Sequence, residues 1–186
     1  MPDKEAEGWI NTPKRREILL VFAVPKTLKQ AQKELSVRKL TLKSFLRNNC
    51  LQCLNPGLKK GRFYVLTEKA RKYLNPNCPD FDIHKDWDCI GWIVASPRMR
   101  LAVLRCIDDR KLYSEEIRMR ATQFNSRLSR PWVKTTLKQL VERNLANSEL
   151  IERIRFYWIT AYGQKIKDEL AVIAPLSLSI SGFSAA

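Results

Sequence analysis

A single histidine stands among 186 residues, so the side chain that most often moves protons near neutral pH is almost missing. No Gly-rich phosphate loop and no Gly-x-Ser-x-Gly nucleophile turn occurs, and only six glycines are present. No two carboxylates sit in a recognisable catalytic frame. The longest uninterrupted apolar run, residues 18–24, falls far short of the roughly 20 residues that cross a bilayer. These absences point away from an enzyme, away from a cofactor and away from a membrane.

Acidic side chains are also scarce. Nineteen of them face 34 lysines and arginines, a formal net charge of +15. Such an excess costs self-repulsion unless a polyanion or dispersed counterions offset it, so a polyanionic partner is the first expectation. The charge is uneven. Residues 1–75 hold 17 basic and 6 acidic side chains, 76–94 hold 1 and 4, and 95–186 hold 16 and 9. Two basic halves flank an acidic middle. The first residues lack the basic and then apolar regions of a secretory signal, so a reducing, cytoplasmic setting and free thiols at all five cysteines are expected.

Residues 15–24 are a strongly apolar helical stretch closed by Pro25, which lacks the N–H a helix needs. Thr27 stands three residues before Gln30, the spacing of a capping box, so a second helix begins near Leu28 with Leu28, Ala31 and Leu35 on one face. A third amphipathic segment, 38–48, directs Leu42, Phe45 and Leu46 inward. It leaves Arg38, Lys39, Thr41, Lys43, Ser44, Arg47 and Asn48 outward, as a groove-reading helix would need. Residues 51–54 and 62–66 read as strands joined by the basic turn Asn-Pro-Gly-Leu-Lys-Lys-Gly, and Thr67 caps a closing helix over 68–74.

The same order recurs after Pro97. A helix is expected over 99–107, a short one capped by Ser114, and a longer one beginning near Pro131. In the longer helix Val133, Leu137, Leu140 and Val141 face inward, and Lys134, Thr135, Lys138, Gln139 and Arg143 lie mostly outward. A hairpin over 145–159 and a helix from about Ala161 complete the pattern. Repetition is literal in one place: Arg62-Phe-Tyr-Val-Leu-Thr67 and Arg155-Phe-Tyr-Trp-Ile-Thr160 occupy the same station. The organisation expected is therefore a first domain over 12–75, a packed linker over 76–94, a second domain over 95–175 and a tail over 176–186. Aromatic and apolar residues such as Phe81, Trp87 and Trp92 make the linker too apolar for a free tether.

Two stretches carry a family resemblance: Leu46-Arg-Asn-Asn-Cys-Leu-Gln-Cys-Leu54 and Lys59-Lys-Gly-Arg-Phe-Tyr-Val-Leu-Thr-Glu-Lys-Ala-Arg-Lys-Tyr-Leu74. Over 12–74 the chain resembles winged-helix regulators of the broad MarR and ArsR-like kind, particularly small archaeal ones. Cys50 and Ala70 stand where that family usually has glycine. The second half is similar over 99–107 and 132–170. The resemblance implies an α+β fold of two winged helix-turn-helix domains in tandem, with the third helix in the major groove of double-stranded DNA and the wing against backbone or minor groove. Arg38, Arg47 and Asn48 are then candidates for base readout. Lys39, Lys43, Lys59, Lys60 and Arg62 are candidates for phosphate contact. Lys134, Thr135 and Lys138 are their counterparts in the second domain, and the first domain is expected to dominate. The implied role is a sequence-specific transcription regulator associated with the nucleoid. A protein-docking scaffold and a plasmid or viral replication initiator use the same fold and stand as alternatives.

Other features receive blander readings. Cys50-x-x-Cys53, with Cys78, His84 and Cys89, has unconvincing spacing for zinc, and buried free thiols are expected. Asp80, Asp82, Asp86 and Asp88 lack the glycine and terminal glutamate of a calcium loop. The Leu-Ser-Leu-Ser-Ile alternation in the tail suits a strand or a homodimer contact.

Overall fold

The computed structural model describes residues 10–74 and 85–173, and the chain divides into two units, Met1–Gly91 and Trp92–Ala186. The tail, and the part of the linker that holds Cys78, Asp80, Phe81, Asp82 and His84, lie outside the described residues. The fold is α+β, with one small three-stranded sheet in each unit. No described helix is long and apolar enough to cross a membrane.

The first unit opens with α1, Pro13–Val21, whose proline sits in the first turn where a missing N–H costs nothing. After Pro25 the chain forms β1, Lys26–Thr27. The sequence pattern does not announce this strand, because two residues are too few to leave an alternation. Thr27 then caps α2, Leu28–Glu34: its Oγ1 accepts from Gln30 N at 3.4 Å, and its own N–H donates to Gln30 Oε1 at 2.6 Å. The helix ends in a Schellman turn, Val37 N donating to Gln32 O and Ser36 N to Lys33 O. Ser36 takes the left-handed conformation there, φ 53°, that glycine usually supplies.

The next element is shorter than expected. A helix over 38–48 is expected from periodicity, yet α3 spans only Lys43–Arg47. Leu42 and Phe45 are buried as expected, whereas Leu46 is 38% exposed, because a helix of barely more than one turn has room for two inward side chains. Strands β2, Leu51–Cys53, and β3, Phe63–Leu66, follow, and then α4, Glu68–Leu74. The sheet order is β1-β3-β2, antiparallel throughout. Leu19, Phe22, Ala31, Leu42, Phe45, Leu51 and Leu66 form the core.

The division between the units falls within α5, Trp87–Val94. The second unit continues with a π-helical turn, Pro97–Leu101, running into α6, Ala102–Cys106. The sequence pattern merges the two into one helix, since both contribute to a single buried run from Leu101 to Leu104. Strand β4, Leu112–Tyr113, leads to α7, Ser114–Thr122. Ser114 is the first helical residue and not the cap; Glu116 Oε2 reaches back to the Tyr113 N–H at 3.1 Å. Then come α8, Arg130–Glu142, strands β5, Ala146–Ile151, and β6, Ile154–Ile159, and finally α9, Ala161–Ile173. The sheet order β4-β6-β5 repeats that of the first unit, and α6, α7 and α8 pack on one another around Val103, Leu104, Ile117, Leu137 and Leu140.

The repetition extends to single hydrogen bonds. Thr27 pairs with Phe63 and Tyr113 with Phe156; Cys53 pairs with Tyr64 and Ser148 with Tyr157. Asn49 and Asn144, φ 52° and 57°, end α3 and α8, and each gives its carbonyl to the hydroxyl of Thr67 or Thr160, at 2.8 and 2.7 Å. By this alignment Lys39 corresponds to Lys134, Lys43 to Lys138, Ser36 to Pro131 and Ala70 to Gly163. At this equivalent position the proline opens α8, whereas the left-handed serine still closes α2.

One buried polar side chain organises the first unit. Asn55 is fully buried; its amide donates to Gly61 O at 3.0 Å and Trp87 O at 2.9 Å, and its Oδ1 accepts from Phe63 N at 2.8 Å. A methyl group on Gly91 would stand 2.1 Å from that amide nitrogen. Asn55→Ala strands a buried N–H and two carbonyls, so a loss of about 3 kcal/mol is expected from denaturant titration. An unchanged midpoint would mean that water replaces the side chain.

Candidate nucleic-acid interface

In the first unit the residues expected to read DNA are spread over three settings. Lys43, Ser44 and Arg47 project from α3, while Arg38, Lys39 and Thr41 lie on the irregular segment before it; all six are exposed. Asn48 is half-buried at the helix end, and its amide donates to Ser44 O at 2.8 Å, so that donor is already engaged. Lys59 and Lys60 are exposed in the loop between β2 and β3. Arg62 folds back on that loop, bonding Leu58 O and, at 3.1 Å, Pro56 O, and therefore staples the turn. Among the described residues Arg38, Lys39, Lys43, Arg47, Lys59 and Lys60 have no ion pair.

The second unit builds a more defined site. A groove of about 800 Å³ runs between α8 and the β5–β6 hairpin. Lys134 and Lys138 line it from the helix, Arg153 and Arg155 from the hairpin, and Tyr113 and Ser148 from its floor. Glu142 is the one carboxylate among its lining residues, 3.8 Å from Lys138. Arg155 donates to Ser148 Oγ at 3.2 Å, which aligns the guanidinium along the strand pair. Thr135 is exposed beside Lys134 on α8 but does not line the groove.

Charge in this unit is sorted. Glu115 bonds Arg118 at 2.6 Å and Arg130 at 3.0 Å, while Asp108 bonds Arg110 at 2.6 Å and Arg120 at 3.0 Å. The Arg110 hydrogen bond above all holds the Asp108 carboxyl at about 2. Those arginines are locally neutralised, whereas Lys134 and Arg153 have no ion pair among the described residues. Two unpaired cations, Lys134 and Arg153, thus line the groove from opposite sides. Arg100 and Arg143 both lie against the Trp92 ring, 4.2 and 4.3 Å from its centre. Burial, with the Arg143 charge beside it, pushes Arg100 below the ordinary arginine value.

Arg153 and Arg155 join the site only in the structure. Arg155 was within reach of the repeat, because it stands where Arg62 stands in the first unit. Arg153 left no signal: it sits in a two-residue turn whose conformation its sequence does not announce.

The four buried or half-buried cysteines among the described residues are free thiols. Burial raises Cys50 and Cys106 above the usual thiol value, as suits unreactive packing residues. No group of three or more metal-ligating side chains occurs among the described residues. Compared with known families and with curated proteins, the chain has no match: no family model fits it and no curated sequence is significantly similar.

Proposed function

We propose that this protein is a tandem winged-helix transcription regulator that binds double-stranded DNA sequence-specifically and without chemistry. The observation that carries the reading is the groove of the second unit, where a 13-residue helix and a hairpin converge with four cations against one carboxylate. A helix of that kind fits the major groove of B-DNA, about 12 Å wide, with the hairpin beside it on the duplex. The tandem arrangement is supported by the common order of helix, strand, two helices, two strands and helix in both units, with the same strand pairing. Lysines on α3 and α8 contact phosphates, and Arg47 and Thr135 face base edges.

Fluorescence anisotropy of a labelled mixed-sequence duplex across a salt series tests duplex binding. The expected result is tight binding at low salt that weakens steeply, with a slope of about 0.9 for each phosphate neutralised. Absence of binding at low salt would overturn the reading and return the protein to the class of protein-docking scaffolds.

A further inference from the structure

We infer that the β5–β6 hairpin of the second unit is a wedge whose apolar tip enters the minor groove and bends the duplex; this rests on the DNA-binding reading above. The hairpin is built to project. Its base is held by β4 through Leu112 and Tyr113, but from Arg155 to the tip β6 pairs, among the described residues, with β5 alone. Register is unbroken up to Ile151 opposite Ile154, and only Glu152 and Arg153 close the turn. Both take left-handed φ, 47° and 69°, the requirement of a tight type I′ turn. Glycine or asparagine would close it with less strain; arginine instead sets a positive charge at the very tip.

The side chains next to that turn are apolar and bare. Leu150 is 60% exposed, Ile154 50% and Ile151 38%. Single exposed apolar residues are ordinary on a protein surface, but Leu150 and Ile154 both line the groove together with its four cations. Their surroundings indicate the occupant. Arg153 and Arg155 flank them, Lys134 and Lys138 face them across the groove, and Glu149 is neutralised by Lys111, which leaves Glu152 as the hairpin's one acid without an ion pair among the described residues. Protein interfaces are depleted of lysine at their centres, whereas a basic hairpin with leucine and isoleucine at its end suits a duplex, where apolar wedges unstack a base step and arginine follows the narrow groove. The first unit offers a contrast. Its β2–β3 loop carries Lys59 and Lys60 on short strands and presents charge without an apolar tip, fit for backbone contact only.

The test is energy transfer between fluorophores on the two ends of a mixed-sequence duplex of about 30 base pairs, at low salt, with the full chain and with Leu150→Ser/Ile154→Ser. These side chains are exposed, so the variant should melt with the wild type, and circular dichroism checks that it does. The wild type is expected to raise transfer, reporting a bend on the order of 20–90°, and the variant to bind while leaving the duplex straight. A wild type that binds a straight duplex, or a variant that bends it equally, overturns the wedge and leaves the DNA reading intact. No binding of the duplex at all overturns both. A straight duplex, together with self-association that the variant loses, would assign the tip to a second copy of the chain.

Discussion

Gly163→Ala is expected to destabilise the second unit by about 2 kcal/mol or more, although alanine is the better helix former. The two effects oppose each other, and their sizes decide the outcome. Replacing glycine inside α9 gains roughly 1 kcal/mol of helix propensity. Against this, a methyl group at Gly163 would lie 2.0 Å from Leu145 O and 2.8 Å from the Leu145 carbonyl carbon, both backbone atoms that cannot rotate away. The Leu145 carbonyl also accepts from Thr160 N at 3.2 Å, so moving it weakens the link between α8's exit and α9's start. Overpacking of this kind costs on the order of 3 kcal/mol. Ala70 occupies the equivalent place in the first unit and is buried, so each unit sets its own spacing at this crossing. Thermal melting of Gly163→Ala checks the result; a raised melting temperature would mean that α9 does not approach Leu145 this closely.

Lys134→Glu/Lys138→Glu is expected to lower the salt slope of duplex binding by about two and to weaken binding more than Lys39→Glu/Lys43→Glu. These pairs occupy equivalent repeat positions, so the comparison is between two surroundings of one arrangement. In the second unit both lysines stand on a continuous helix and face Arg153 and Arg155 across a groove. In the first, Lys39 precedes a helix of five residues, and the hairpin arginine, Arg62, is occupied by loop carbonyls. From sequence the first domain is expected to dominate, because the second diverges between its second and third helices; helix length and the groove argue for the second. Equal losses from the two double variants would show that net charge governs binding and the groove does not. Loss from Lys39→Glu/Lys43→Glu alone would restore the first unit to the leading role.

Much of the element order was legible in the sequence because it is written in local chemistry. The Thr27 and Gln30 pair announced a cap, Pro131 a helix start, and the Arg-Phe-Tyr repeat a shared strand. What escaped depends on backbone states and on distant partners. Strands β1 and β4 are two residues long and exist through pairing with β3 and β6, far along the chain. The truncation of α3 leaves residues 37–42 without regular structure after the left-handed turn at Ser36, and serine carries no sign of such a turn by itself. Of the candidate site, the lysines could be placed on helix faces by periodicity, whereas Arg153 depended on the Glu152–Arg153 turn. The burial of Asn55 was likewise invisible, since its partner at Trp87 lies 32 residues away.

Sequence-specific reading of duplex DNA is tested most directly by sequencing the duplexes retained from a random pool at moderate salt. Enrichment of a defined motif, with two protected half-sites if both units read bases, is the predicted result. A retained pool with the composition of the input would contradict it.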